Sequence, residues 1–188
     1  LRQLGKGGMG AIYLAANTGM RRGEVLGLPW RDVDLDAARL VVDQQILSVE
    51  YGTHVADVKT TNSRRTIDLD PRTVAVLRAW RRRQLEQRLS TGRRDDDGFV
   101  FTRPDGEPIH PDFFSQSWER LVRESGLRRI RLHDLRHTHA SILLKANVPV
   151  KVVSERLGHS SPAFTMTVYQ HVLPGMQADA AAAFSAAV

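Results

Sequence analysis

The sequence contains no cysteine among its 188 residues, which excludes disulfide bonds and thiolate metal ligands. It also contains no apolar stretch of the roughly 20 residues that a membrane-spanning helix needs, and no apolar signal-peptide core at its N-terminus. We therefore expect a cytoplasmic protein without a membrane segment. The length and the 41% hydrophobic content predict one well-packed domain.

Lysine is scarce as well. Only four of the 27 basic residues are lysines, so arginine carries most of the positive charge, and its planar guanidinium pairs well with phosphate oxygens. A GC-rich coding sequence would produce the same bias. The net charge of +6 and the pI near 10.3 suit a polyanionic partner, although many basic proteins bind no nucleic acid.

The pattern of apolar and turn residues predicts a mainly α fold with a small antiparallel β-sheet, an α+β class. Three β-rich runs, 39–42, 53–58 and 65–69, are separated by turn residues. Capping and periodicity predict helices at 22–28, 71–89, 111–125, 133–145, 150–157 and 162–168. Gly126 and Gly158 stand where glycine commonly ends a helix.

A set of residues spread along the chain could cleave a phosphodiester bond without a metal ion. Such cleavage needs a nucleophile, a proton for the leaving 5′ oxygen and positive charge at the nonbridging oxygens. The candidate residues are Arg21, Lys59, His133, Arg136, His159 and Tyr169. Two histidines can carry protons or hydrogen-bond a phosphate, and a late tyrosine offers a nucleophile.

The order of these residues resembles the tyrosine recombinase (phage integrase) family. The motifs that carry the resemblance are Thr18-Gly19-Met20-Arg21, His133-Asp134-Leu135-Arg136, Leu157-Gly158-His159 and the following Tyr169. The resemblance implies the tyrosine recombinase catalytic-domain fold and double-stranded DNA as substrate. It also implies site-specific DNA recombination or integration through a 3′-phosphotyrosyl intermediate, and a homotetramer assembled on DNA. No metal, cofactor or nucleotide is implied.

The resemblance also implies a role for each residue. Tyr169 would attack the phosphate, and Lys59 would protonate the departing 5′ hydroxyl. Arg21 and Arg136 would hold the nonbridging oxygens. His133 would accept the tyrosine proton or hold a nonbridging oxygen, and His159 would donate a hydrogen bond to the phosphate.

Glu24 would orient an arginine in a supporting role. The neighbouring Arg22 competes with Arg21 for the first arginine position.

Each of these residues also has an ordinary structural interpretation. The arginines could lie on a solvated helix face, Lys59 could protect a strand edge, Glu24 could form a plain helix salt bridge, and Tyr169 could be a half-buried core residue. His133 and His137 have a spacing that can bind zinc, but no third ligand is evident and Arg136 would repel a cation. We therefore expect no metal site.

The first residues require a separate interpretation. Residues 4–15 resemble the Gly-rich loop of Ser/Thr protein kinases, yet no other kinase motif follows. We predict that residues 1–13 are a foreign or disordered segment, or that they replace the first helix of the domain. Residues 14–173 are the predicted catalytic domain. Residues 174–188 are a predicted tail that docks onto a neighbouring protomer or frays.

Two other functions remain open. The family usually carries an N-terminal DNA-clamping domain that is absent from this sequence, so we expect weak and poorly specific DNA binding. The chain could then be a noncatalytic DNA-binding remnant of a mobile element. A DNA-relaxing enzyme similar to type IB topoisomerases is the other alternative.

Overall fold

The computed structural model describes residues 5–50, 52–58, 63–90, 92, 98–169, 181–182 and 184–186. The helices are α1 (Gly5–Thr18), α2 (Arg22–Leu26), α3 (Pro71–Ser90), α4 (Pro111–Glu124), α5 (Asp134–Lys145), α6 (Val150–Leu157) and α7 (Pro162–Tyr169). The strands are β1 (Val33–Asp34), β2 (Arg39–Val42), β3 (Gln44–Val49), β4 (Gly52–Asp57) and β5 (Arg65–Asp68). The predicted mainly helical fold with antiparallel β structure is confirmed.

The strands form two antiparallel sheets, which corrects the prediction of one. The first sheet has the order β1-β2-β5, and Leu40 of β2 lies opposite Ile67 of β5. The second sheet is the β3-β4 hairpin. Two glutamines and a serine in β3 weaken its β signal in the sequence, so pairing with β4, rather than local preference, explains that strand.

The helix ends follow the local signals in the sequence. The side chain of Asp70 accepts hydrogen bonds from the backbone amides of Arg72 at 2.9 Å and Thr73 at 3.1 Å, and Pro71 is the first residue of α3. This confirms the predicted helix start. Gly126 and Gly158 have φ angles of +69° and +68°, so both predicted glycine stops are confirmed.

Residues 5–13 are helical, which corrects the predicted disorder for the described part of the N-terminal segment. Their helix, α1, buries Ala11, Ile12, Leu14 and Ala15 in the main core. Burial of this apolar face outweighs the poor helix propensity of the glycines. The segment therefore belongs to the first helix that the structure describes, and its replacement of another helix remains a prediction. Residues 1–4 lie outside the described residues, and a foreign origin remains a prediction.

Two hydrophobic clusters make up the core. The larger cluster contains residues of the first four helices and of the first sheet, among them Leu14, Leu40, Leu77 and Phe101. The smaller one joins α5, α6 and α7 and includes Leu157 and Tyr169. Of the predicted site residues, Tyr169 belongs to the smaller cluster.

No helix in the described part of the chain is both long enough and apolar enough to cross a membrane. Within residues 174–188, the structure describes 181–182 and 184–186, which are helical and exposed. Phe184 is among the exposed residues. Docking of this tail remains a prediction.

Candidate active site

Arg21 precedes α2 and is held by Glu24. Its backbone amide donates to one oxygen of the Glu24 carboxylate at 2.8 Å, and its guanidinium donates to the other oxygen at 2.8 Å. Glu24 is 1% exposed, whereas the side chain of Arg21 is 38% exposed. The carboxylate is thus buried beneath an arginine that a ligand can reach. This geometry suits the predicted orienting role of Glu24.

Arg136 reaches from α5 to the backbone around α6. Its guanidinium donates to the carbonyl oxygens of Gly19 at 2.6 Å and Leu157 at 2.8 Å. Arg21 donates to the next carbonyl, that of Gly158, at 3.0 Å. Two arginines that are distant in sequence therefore bind adjacent carbonyls directly before His159. Burial, followed by the charge of Arg21, lowers the pKa of Arg136 to about 9, so it remains charged at neutral pH.

His159 follows the left-handed turn at Gly158 and contacts α7. Its Nδ1 atom lies 2.8 Å from the hydroxyl oxygen of Thr165, a buried residue. Burial, followed by the charge of Arg136, lowers the pKa of His159 to about 4. The ring is therefore neutral at pH 7. If the threonine hydroxyl donates to Nδ1, the proton of the ring sits on Nε2 and is free to be donated to a ligand.

Tyr169 ends α7 with its hydroxyl against α5. The side chain is 2% exposed, and its hydroxyl oxygen lies 2.8 Å from Nδ1 of His137. His133 packs edge-on against the ring of His137, with ring centroids 4.8 Å apart. Among the described residues, the hydrogen-bond partner of the phenol is thus His137 rather than the predicted His133.

The pKa shifts of this pair keep both groups neutral, with the proton on the phenol and a free ring nitrogen available on the imidazole. Burial raises the pKa of the Tyr169 phenol, and the charge of Arg136 opposes that change. Burial lowers the pKa of His137, which keeps its ring neutral at pH 7. The pKa of His133 is lowered by burial and then by the His137 and Arg136 charges. A neutral ring can accept a proton from the phenol.

Arg65, at the start of β5, is a site residue that sequence reasoning missed. Its guanidinium donates to both oxygens of the Glu24 carboxylate, at 2.8 and 3.2 Å. Burial alone would raise the pKa of Glu24, but the hydrogen bonds and charges of Arg65 and Arg21 lower it overall. The sequence signal is the spacing alone: Arg65 and Ile67 are two residues apart in a β-rich run and so share one face of the strand, which the structure shows to be buried.

Arg22 is tied to α4 and not to the carbonyls that hold the other arginines. Its Nη1 donates to the carbonyl of Pro111 at 3.2 Å, to Asp112 at 3.1 Å and to the hydroxyl of Ser115 at 2.8 Å. It lines, with His133 and Arg136, a cavity of about 340 Å³. The contacts favour Arg21 over Arg22 as the arginine beside Arg136. Lys59 lies outside the described residues.

His139 holds α1, α5 and α6 together behind the site. Arg156 donates to its Nε2 at 3.1 Å, so Nδ1 carries the proton and donates to the carbonyl of Ala16 at 3.1 Å. Burial, followed by the charge of Arg156, lowers the pKa of His139 to about 4. The histidine is therefore held neutral in the fold.

The site carries excess positive charge and suits an anion. Arg21 and Arg65 both donate to the carboxylate of Glu24, and the charges of all three act on the nearby Arg136. Among the described residues, no group of three or more His, Asp or Glu side chains is placed to hold a metal ion. The arrangement combines fixed cations, neutral imidazoles and one phenol, and a phosphate diester is a ligand that such a set can bind.

A family model described as the Phage integrase family matches residues 8–175 of the chain. A tyrosine recombinase XerC-like protein of Caldanaerobacter subterraneus subsp. tengcongensis is 34% identical over 182 residues, covering 90% of this chain and 46% of that protein. The ICEBs1 integrase of Bacillus subtilis is 33% identical over 165 residues, covering 87% and 45%. The chain therefore spans about half the length of these relatives.

Solved structures have the same fold. The Tn1549 transposon integrase in complex with transposon right end DNA matches with a TM-score of 0.74 and 22% identity, over 85% of this chain and 53% of that chain. The XerA recombinase matches with a TM-score of 0.68 and 22% identity, over 93% and 55%. These likenesses confirm the predicted catalytic-domain fold.

Proposed function

The chain belongs to the phage integrase family, and from this premise we propose that it is the catalytic part of a site-specific tyrosine recombinase. It cuts and rejoins double-stranded DNA. The observation that carries the proposal is that Arg21 and Arg136 bind adjacent carbonyls beside His159. The phenol of Tyr169 lies close by, hydrogen-bonded to His137 on the same helix as Arg136. The two arginines, His159 and Tyr169 can then act on the same phosphate as its cations, its hydrogen-bond donor and its nucleophile.

The phosphate is bound before the chemistry. The guanidinium groups of Arg21 and Arg136 hold the nonbridging oxygens, where negative charge grows in the transition state. The Nε2–H of neutral His159 donates to the same phosphate, while the hydroxyl of Thr165 fixes the ring. Because Tyr169 is buried, the phosphate meets the phenol only after a local opening around α7.

Cleavage then exchanges one phosphodiester bond for another. The hydroxyl of Tyr169 transfers its proton to Nδ1 of His137, and its oxygen bonds to phosphorus as the bond to the 5′ oxygen breaks. Lys59 gives a proton to that leaving oxygen. The product is a 3′-phosphotyrosyl link and a free 5′ hydroxyl. Attack by the 5′ hydroxyl of a partner strand reverses these steps, so no nucleotide is consumed.

The assembly belongs to the same proposal. Four copies act on paired DNA sites in the bacterial cytoplasm, and residues 174–188 of each copy dock onto its neighbour. Truncation after Leu173 should leave cleavage by Tyr169 measurable and reduce DNA-dependent multimers in sedimentation. Unchanged multimers in the truncated chain would contradict docking of the tail.

Trapping the covalent intermediate tests the proposed function. A pool of DNA duplexes with random sequence, each carrying a nick that lets a short strand diffuse away after cleavage, prevents religation. We expect a protein–DNA adduct that survives denaturing electrophoresis, and the recovered DNA defines a cleavable sequence. Complete absence of an adduct would favour the noncatalytic remnant. Two-site strand exchange on the recovered sequence should also occur, and relaxation without exchange would favour the topoisomerase alternative.

A further inference from the structure

We propose that Arg65 is a positioning residue that fixes the phosphate-binding Arg21 through the shared carboxylate of Glu24. This inference rests on the proposed function and adds a residue to its machinery. Arg65 lies behind Arg21, since its side chain is only 6% exposed and its Nε and both Nη atoms already donate to protein oxygens. The side chain of Arg21, on the other face of the same carboxylate, is 38% exposed. Any effect of Arg65 on the reaction therefore passes through its neighbours.

Both oxygens of the Glu24 carboxylate are shared between the two arginines. One oxygen accepts from the guanidinium of Arg21 at 2.8 Å and from that of Arg65 at 3.2 Å. The other accepts from the backbone amide of Arg21 at 2.8 Å and from Arg65 at 2.8 Å. Without Arg65, a buried carboxylate would keep Arg21 as its sole described cationic partner, and a buried charge that loses a partner is costly. The carboxylate and Arg21 would then move together.

The remaining donors of Arg65 fix this guanidinium in one place. Its Nε donates to the carbonyl of Arg156 at 2.7 Å, and its Nη1 donates to the carbonyl of Ser63 at 3.0 Å. The first carbonyl belongs to α6 and the second to the segment before β5. The planar guanidinium spans all of these acceptors at once, and a lysine ammonium lacks that fork geometry.

Arg65 also packs beneath the turn that leads to His159. A β-carbon added at Gly158 would lie 2.9 Å from Nη1 of Arg65, and the carbonyl of Gly158 accepts from Arg21 at 3.0 Å. Arg65 therefore contacts the turn on one side while Arg21 binds it on the other. One buried side chain sets the position of Arg21 and supports the backbone before His159.

Substitution of Arg65 in the full chain tests the inference against the duplex recovered from the adduct assay. Arg65→Met should slow single-turnover adduct formation at saturating DNA by about 10²-fold, the loss expected when a catalytic group is displaced by about 1 Å. DNA affinity should change little, since Arg65 is buried. The matched control is Arg64→Met, because the side chain of Arg64 is 70% exposed and lies 3.8 Å from Asp43. It should react like the unmodified chain.

A methylphosphonate at the scissile position separates positioning from general loss of structure. This group replaces a charged nonbridging oxygen by a neutral methyl, so the reaction depends less on the charge of Arg21. The deficits of Arg65→Met and Arg21→Ala should both shrink on this substrate. In an Arg21→Ala background, replacing Arg65 should cost little further rate, because both changes remove the same interaction.

Arg65→Lys keeps the test decisive if Arg65→Met does not fold. The lysine keeps the charge beside Glu24, and we expect a rate between those of the unmodified chain and Arg21→Ala, again with a smaller deficit on the methylphosphonate. Equal losses on both substrates, or losses that multiply with those of Arg21→Ala, would overturn the inference. If the unmodified chain forms no adduct, the proposed function fails first and the inference fails with it.

Discussion

Replacing Gly158 by alanine should disturb the site through Arg65, and Gly126 provides a matched control. Both glycines end helices with nearly equal φ angles, +68° and +69°. An alanine in this left-handed region costs roughly 1–2 kcal/mol. A β-carbon at Gly126 would meet no atom within 4 Å, whereas at Gly158 it would lie 2.9 to 3.2 Å from three atoms of Arg65. Strain alone acts at Gly126, and strain plus crowding acts at Gly158.

The magnitudes follow from that difference. Gly126→Ala should lower the free energy of unfolding by about 1–2 kcal/mol, and each kcal/mol lowers Tm by about 2–4 °C in a chain of this size. Gly158→Ala should cost about 1–3 kcal/mol more, the usual range for overpacking. Denaturant unfolding measures both losses, and single-turnover adduct formation measures the effect on the site. We expect a slower reaction for Gly158→Ala and an unchanged rate for Gly126→Ala. Equal stabilities and equal rates for the two variants would refute the reasoning.

Further predictions concern the general acid, the histidines and the DNA surface. Lys59→Ala should slow cleavage of ordinary DNA by about 10²–10⁴-fold. Its cleavage rate should recover on a substrate with sulfur at the bridging 5′ position, because a thiolate leaves without a proton. The rate of Arg136→Ala should not recover on that substrate. The adduct rate should hold at pH 6.5 and fall only at lower pH, since burial lowers the pKa of His137; a rate that already halves at pH 6.5 would argue against a neutral imidazole as base. The free energy of unfolding should also fall from pH 6.5 toward pH 4 in denaturant titrations, because the unfolded chain binds protons that His139 and His159, each with a pKa of about 4, exclude when folded. DNA affinity should weaken steeply with salt as counterion release requires, and a flat response would contradict a phosphate-binding surface.

Local signals predicted most helix positions, but not the pairing of strands. Asp70-Pro71 and the two glycine stops act within a few residues, so their outcome depends little on the rest of the chain. Strand β3 has mixed polarity and gains its structure from β4. The glycines of α1 argue against a helix in the sequence, and the apolar face that stabilises this helix is identified only by its burial in the core. Tertiary packing decided each of these cases.

The candidate site divides in the same way. A motif resemblance could name Arg136, His159 and Tyr169, because their types and order stand in the sequence. It could not find that Arg65 binds Glu24 or that His137 lies at the phenol, since these contacts join residues 41 and 32 positions apart. The first contact joins β5 to α2, and the second joins α7 to α5. An arginine on the buried face of a strand needs a buried partner, and here that partner is Glu24.

The central claim is that Tyr169 is the nucleophile, and locating the covalent link tests it most directly. The adduct would be trapped on the nicked duplex, digested with protease and nuclease, and searched by mass spectrometry for the nucleotide-bearing peptide. The sequence has only three tyrosines, so Tyr13→Phe and Tyr51→Phe serve as matched controls that should still form the adduct. We predict a nucleotide on Tyr169, and no adduct in Tyr169→Phe although that variant still binds DNA. A nucleotide on another residue, or an adduct that persists in Tyr169→Phe, would contradict the account.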